Sequence, residues 1–345
     1  METEVASNLQ SMAMVFAAAR EQPHEAAGEG AGASGRSIAK GRVRMIEARK
    51  TLLSLLELGG LPDMDAPLRV IRRETEDRGD YMLERLVLDL NGLEPVPALL
   101  ALPKGRPGPF PAVVFNHSHG GNYKAGKKEL IEGAKYLDAE PYAKLLTSLG
   151  FAALTIDAWG FGDRFTRKET ELFKEMLWRG RVLWGMMLYD SMRTVSYLHS
   201  RDDIDAARIG TLGMSMGGTK AWWLTALDER IAFCADLCGA ADYVALIEER
   251  RLDYHGIYFY VPKLLTRFRS GDIQALCAPR PRLCAIGTRD PLTPGVERFA
   301  ERVAEAYREA GAEHVWQLRR FDAGHEETPE MRGAVREFLR SFAEV

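Results

Sequence analysis

Little in this sequence points toward disulfide, nucleic-acid or membrane chemistry. Four cysteines, Cys234, Cys238, Cys277 and Cys284, are all that 345 residues contain, and no two form a C-x-x-C pair. They stand in apolar surroundings and read as reduced core residues, since a thiol nucleophile needs a polarising partner and an exposed turn. Neither charge predominates: 46 Lys and Arg against 49 Asp and Glu give a net charge of −3. Interspersed in this way, the charges leave no basic face for nucleic acid and no polybasic patch for a membrane. No apolar run is long enough to span a bilayer, and Glu2 and Glu4 stand where a secretory signal would carry lysine or arginine. A cytoplasmic location is expected. Internal repeats are also lacking.

What is present divides unevenly. Residues 1–60 are rich in Ala, Met, Leu, Glu and Arg, with two helix-like segments, Val5 to Arg20 and Ser37 to Leu58, around a small-residue linker from Ala27 to Gly35. This is read as a helical N-terminal extension, a packing element that could also wall an active site or form a homodimer contact. Gly59, Gly60 and Pro62 end it. Residues 61–345 read as one α/β domain. Tyr81 to Leu90 and Val96 to Leu102, separated at Asn91 and Gly92, predict an antiparallel hairpin at the sheet's edge. Short apolar runs follow at Ala112 to Phe115, Phe151 to Ile156, Ile209 to Leu212, Ile231 to Ala235, Arg282 to Ile286 and His314 to Phe321. Helical stretches lie between them, at Tyr142 to Leu149, along the face Leu183, Met187, Asp190, Thr194 and Leu198, at Phe299 to Ala310 and at Met331 to Phe342. That alternation predicts a mainly parallel sheet covered by helices on both faces.

The most informative stretch is RIGTLGMSMGG, Arg208 to Gly218. A predicted strand ends and a predicted helix begins around G-x-S-x-G, with Ser215 at its centre. A serine can be thrust from such a turn only if its neighbours have almost no side chain, which Gly213 and Gly217 satisfy. The turn places the Met216 amide at a helix N-terminus, where an unpaired N–H and the helix dipole favour an oxyanion.

A serine hydroxyl needs a base, and the base an orienting acid. Among seven histidines, His325 in FDAGHEET follows the last predicted strand beside Gly324, where a loop can carry an imidazole over the sheet. Asp290 follows the strand Leu283 to Ile286, at the sheet end where catalytic groups collect in open α/β proteins. Asp322, three residues before His325, is the rival acid and is expected instead to cap backbone N–H groups of its own loop. A second oxyanion donor is assigned to the backbone N–H of His119 in AVVFNHSHGG, with His117 as structural support. The competing reading of His117 and His119 as a metal pair lacks the aspartate of an H-x-H-x-D pattern. The reading calls for no metal and no cofactor.

Taken together, NHSHGG, DAWGFGDR (Asp157 to Arg164), RIGTLGMSMGG, APRPRLCAIGTRDPLTP (Ala278 to Pro294) and the final AGH resemble the α/β-hydrolase superfamily, and within it the dienelactone-hydrolase-like and acetyl-xylan-esterase-like branch. The resemblance covers about Tyr81 to the end and implies ester hydrolysis by a Ser, Asp, His triad without metal. It departs from the family in two places. Ser118 stands where the first glycine of the usual H-G-x-G loop is expected, and Ser215 stands where dienelactone hydrolases proper use cysteine. Dienelactone is therefore not carried over as substrate.

An aromatic-rich insertion, with Tyr254, His255, Tyr258, Phe259 and Tyr260, separates the strand ending near Cys238 from that at Arg282. Tyr258 and Phe259, with Trp159 and Phe161 from another loop, are candidates for a substrate pocket, and Asp163 with Arg164 for a pair that holds the latter loop. The expected function is a carboxylesterase or deacetylase acting on a small-molecule ester. Carbon–carbon bond hydrolysis on the same triad and a non-catalytic ligand-binding relative are the alternatives.

Overall fold

The computed structural model describes residues 33–343. The expected helix Val5 to Arg20 and the greater part of the linker Ala27 to Gly35 lie outside them. A helix, α1 (Ala33–Leu55), leads into three strands, β1 (Arg69–Asp77), β2 (Tyr81–Asp89) and β3 (Val96–Pro103). The chain then alternates through β4 (Phe110–Asn116), α2 (Tyr142–Ser148), β5 (Ala152–Ile156), α3 (Glu169–Trp178), α4 (Leu183–His199), β6 (Ile204–Met214) and α5 (Met216–Leu227). It closes with β7 (Cys234–Leu237), α6 (Tyr243–Glu248), α7 (Ser270–Ala275), β8 (Arg282–Gly287), α8 (Val296–Glu309), β9 (Trp316–Phe321) and α9 (Pro329–Ala343).

The strands form one sheet in the order β1-β2-β3-β5-β4-β6-β7-β8-β9. The pairs β1/β2, β2/β3 and β3/β5 are antiparallel, and all the others are parallel. Every residue of β4, β5, β7 and β8 is buried, which is why these strands read as continuous apolar runs and not as alternating ones. One apolar cluster, with Trp184, Trp222 and Trp223, and a second, with Phe115, Tyr142 and Phe233, account for the two covered faces. This is the architecture of an α/β hydrolase.

The hairpin β2/β3 forms as expected but is not the edge of the sheet. Outside β2 lies β1, RVIRRETED, whose mostly exposed and charged side chains carry no apolar pattern to reveal it. Charge on an edge strand discourages further strands from pairing with it.

The described part of the N-terminal segment is fastened to the sheet's helical cover. Leu52, Leu53 and Leu56 are buried in the first cluster. Arg49 is buried beside them, donating through Nε to the Ala226 carbonyl at 2.9 Å and through Nη2 to the Leu276 carbonyl at 3.0 Å, while Nη1 meets Glu229 at 2.6 Å. Ala226 lies in the last turn of α5, so α1 supplies donors to carbonyls that a helix end leaves unpaired. Replacing Arg49 by Met keeps much of the stem but strands the Ala226 carbonyl, whereas the Leu276 carbonyl keeps Arg280 Nη2 at 2.7 Å. The expected loss is about 2–3 kcal/mol in urea denaturation, and an unchanged midpoint would show that α1 is not fastened there.

Candidate active site

The parallel strands deliver their carboxyl ends to one place. Strand β6 stops at Met214 and α5 starts at Met216, so Ser215 alone makes the turn, at φ 55° and ψ −121°. A non-glycine residue held there costs on the order of 1–3 kcal/mol. Two backbone bonds pin it: Ser215 N–H donates to Leu237 O, and Ser215 O accepts from Thr219 N–H, both at 2.8 Å. The flanking glycines permit backbone to touch backbone. A Cβ on Gly217 would lie 2.0 Å from the Asn116 carbonyl oxygen, and one on Gly213 would lie 2.4 Å from the Gly217 carbonyl carbon.

From this turn a hydrogen-bonded row runs through two further loops. His325 Nε2 lies 2.7 Å from Ser215 Oγ, and its Nδ1 lies 2.8 Å from Asp290 Oδ2. The Asp290 side chain is wholly buried, and its Oδ1 accepts the Leu292 N–H at 2.8 Å. Asp322 is elsewhere. Its side chain is 86% exposed and pairs with Arg289 Nε at 3.1 Å, so it does not cap its own loop as expected. The chain leaves β9 with that side chain turned to solvent, where Arg289 is the available partner.

The loop after β4 carries His117 and His119, and its hydrogen bonds fix both tautomers. His117 is fully buried: Nε2 accepts the Ala158 N–H at 3.1 Å, leaving Nδ1–H to donate to Ser118 O at 2.8 Å. His119 accepts the Gly121 N–H on Nδ1 at 3.0 Å, leaving Nε2–H to donate to the Tyr258 hydroxyl at 3.1 Å. Burial lowers the pKa of His117 to about 3 and that of His119 to about 4, so both rings are neutral near pH 7. With every ring nitrogen engaged, neither histidine offers a metal a free lone pair. The backbone N–H groups of His119 and Met216 donate to no acceptor among the described residues. Gly120, at φ 48°, brings the loop against Tyr136, whose ring a Cβ would meet at 2.2 Å.

Among the described residues, the side chains with metal-ligand spacing are Cys238, Asp290 and His325, with ligand atoms within 4.8 Å of one another. Their chemistry disfavours a cation. Burial, then the Asp290 charge, push the Cys238 thiol well above its usual range, and the other two groups are bonded to each other.

A pocket of about 230 Å³ opens over Ser215, His325, His119 and Met216, with Tyr258 and Phe259 in its wall. Trp159 is not part of it. Trp159 is buried with its ring over the Arg164 guanidinium at 4.4 Å, and Phe161 is buried against Tyr123 at 5.0 Å. Nor do Asp163 and Arg164 pair. Arg164 meets Asp190 at 2.8 Å and Glu94 at 2.6 Å, while Asp163 meets Lys127 at 2.6 Å. Asp190, wholly buried, outcompetes the neighbour in sequence because a buried guanidinium needs an acceptor at its own depth. The insertion's Tyr254 and His255 also line it, whereas sequence reasoning overlooked Thr219, Cys238, Leu292 and Thr293 in the pocket wall. Cys238, Leu292 and Thr293 follow carboxyl ends of parallel strands, a signal that could have found them.

No family model matches the chain. "Putative hydrolase YtaP" of Bacillus subtilis (strain 168) is 48% identical over 298 residues, spanning 86% of this chain and 99% of that protein. Among solved structures, a glucuronoyl esterase from Solibacter usitatus superposes with a TM-score of 0.62 at 16% identity, over 86% of this chain and 92% of the other. An acetyl xylan esterase from Paenibacillus sp. R4 superposes with a TM-score of 0.60 at 21% identity, over the same shares. At these identities the superpositions speak for the fold.

The loop after β4 rests on a buried acid. Glu129 accepts the Ser118 N–H at 3.1 and 3.2 Å and the Tyr136 hydroxyl, and desolvation raises its pKa to about 7 from the usual 4.5. An acid whose pKa rises on folding favours the folded state in its protonated form. That contribution is complete below about pH 4.5 and is lost as pH climbs through about 7. Between pH 5 and 8 the protein is expected to lose stability, by on the order of 3 kcal/mol at most. Glu129→Gln should flatten that slope in denaturation curves taken at both pH values. An equally steep slope in the variant would remove Glu129 as its source.

Proposed function

Because the chain belongs to the α/β-hydrolase superfamily and is 48% identical to a putative hydrolase, YtaP, we propose that it is a carboxylic ester hydrolase working through an acyl-enzyme on Ser215. The observation that carries this reading is the row of hydrogen bonds from Ser215 Oγ through His325 to the buried Asp290.

In this reading His325 Nε2 removes the Ser215 proton as Oγ attacks the ester carbonyl. Asp290 holds the Nδ1–H tautomer and stabilises the imidazolium. The negative charge that develops on the carbonyl oxygen is met by the backbone N–H groups of Met216 and His119. Each such donor, aimed at the oxyanion in a dry site, is worth about 10²–10³ in turnover. His325 then gives its proton to the leaving alcohol. Water enters, loses a proton to the same imidazole and attacks the acyl-enzyme, and Ser215 is regenerated. His117, with both nitrogens taken by backbone, keeps the oxyanion loop in shape and takes no proton. The substrate is a small-molecule ester, and carboxylesterase or deacetylase action fits a pocket of this size.

Ser215→Ala is expected to abolish hydrolysis of p-nitrophenyl acetate and labelling by a fluorophosphonate while leaving the thermal transition in place. A folded variant that retains most activity would end the serine reading. Asp290→Asn leaves His325 in the wrong tautomer and is expected to cost up to ~10⁴-fold in kcat, as in serine proteases. Asp322→Asn, a change in an exposed ion pair, should stay within about twofold because such pairs contribute little. The reverse pattern in the two purified variants would transfer the orienting role to Asp322.

A further inference from the structure

The nucleophile pocket has a neighbour that ester hydrolysis by the Ser215 row does not by itself require. At about 230 Å³ the pocket is smaller than most ligand sites, which run from about 300 to 1,000 Å³. Next to it lies a second cavity of about 300 Å³. Tyr243, Leu246 and Phe259 line both, so these three side chains form the partition. Beyond it the walls are Ile247, Leu252, Val261, Leu264 and Leu265, and the lining includes no carboxylate. Its charged member, Lys263, is exposed.

Three features suggest that the second cavity is meant to be filled. Its walls are apolar, and an apolar cavity forfeits contacts for as long as nothing occupies it. Ile247 and Leu252 are 49% and 37% exposed there, large apolar side chains left in water beside an apolar hollow. The covering segment is also built to give way. Between α6 and α7 the backbone forms only three one-turn 3₁₀ helices, Leu252–Tyr254, Ile257–Phe259 and Leu264–Thr266. Segments with so few regular hydrogen bonds open at low cost. Within that segment Phe259 packs on Tyr260 at 4.6 Å and edge-on to His255 at 5.3 Å, and it meets Tyr243 at 5.8 Å outside it.

We propose that the cavity behind Phe259 is a subsite for an unbranched aliphatic chain of the ester, so that Phe259 and Leu264 set chain-length preference and esters of medium chain length are preferred to acetates. The proposal rests on Ser215 being the nucleophile. The chain can belong to the acyl group or to the alcohol, and the two sources are separable by experiment.

The test measures kcat/KM on the full-length protein for two series, p-nitrophenyl esters from acetate to decanoate and acetates of alcohols from ethanol to octanol. In one series kcat/KM should rise by about fourfold for each methylene that passes the partition; the acyl series would assign the cavity to the acyl chain, the alcohol series to the leaving group. Leu264→Trp fills the cavity from its far wall, and Ile247→Asn makes its mouth polar at an exposed position that folding tolerates. Each should lower the ratio of long-chain to short-chain kcat/KM in the responding series at least tenfold. A steady fall with length in both series, or a ratio that neither variant moves, would overturn the subsite while leaving the esterase intact. Absence of hydrolysis in both series, with no fluorophosphonate labelling, would overturn the nucleophile assignment and the subsite with it.

Discussion

Everything at the carboxyl end of this sheet depends on backbones that touch without side chains between them. Gly213 and Gly217 meet each other and the Asn116 carbonyl, and a Cβ on Gly239 would lie 2.5 Å from Gly218, so β4, β6 and β7 end within one another's van der Waals reach. That closeness has a consequence for Ser215. Its left-handed backbone is unfavourable in isolation, yet the Leu237 carbonyl and the first turn of α5 over-determine it. The strain is thus maintained by the ladder of parallel strands, and the hydroxyl emerges at the sheet's rim without movement of the main chain.

Buried charges serve the loops around that turn in the same way. Asp236 and Arg282 face each other across β7 and β8, wholly buried, with Nε at 2.7 Å from Oδ2 and Gln274 taking a further guanidinium N–H at 2.8 Å. Lys127 joins Asp157 at 2.7 Å and so ties the loop after β4 to the loop after β5. Desolvating such ions offsets much of their attraction, so their value is less in net stability than in the penalty for any other arrangement. Each pair fixes a register or a loop path that an apolar contact would leave free to slide. The hydrogen-bonded row at the site inherits its geometry from that fixity.

The sequence exposed these elements unequally, for physical reasons. Strands buried on both faces and the glycine-flanked turn are legible because burial and steric closeness restrict which residues can stand there. Ser215 and Asp290 could be put forward because each follows such a strand, and His325 because it stands beside Gly324 just past the last, half-exposed strand. Strand β1 escaped notice because an exposed edge imposes no apolar period. The fate of the loop at Asp157 to Arg164 was equally hidden: whether Arg164 turns to Asp163 or to Asp190 depends on which acid is buried at the same depth, a long-range property that adjacency does not encode. Trp159, judged by its aromatic character, went to Arg164 for the same reason.

The insertion between β7 and β8 obeys a different rule from the sheet. Around Ser215, backbone contacts and hydrogen bonds over-determine the turn. In the insertion, one-turn helices and aromatic stacking hold Tyr258 and Phe259, and no strand pairing fixes them. At the pocket His119 Nε2 donates to the Tyr258 hydroxyl and Thr219 Oγ1 to the Gly239 carbonyl, so hydrogen bonds join the two regions there. His119 belongs to the loop after β4 and Tyr258 to the insertion, so breaking the bond between them would leave a neutral imidazole with an unpaired N–H in the half-buried pocket wall. That penalty favours the arrangement in which the insertion stays seated on the loop. The fold thereby divides in two: the sheet end fixes the hydrogen-bonded row from Ser215 to Asp290, and the insertion supplies the aromatic wall beside it.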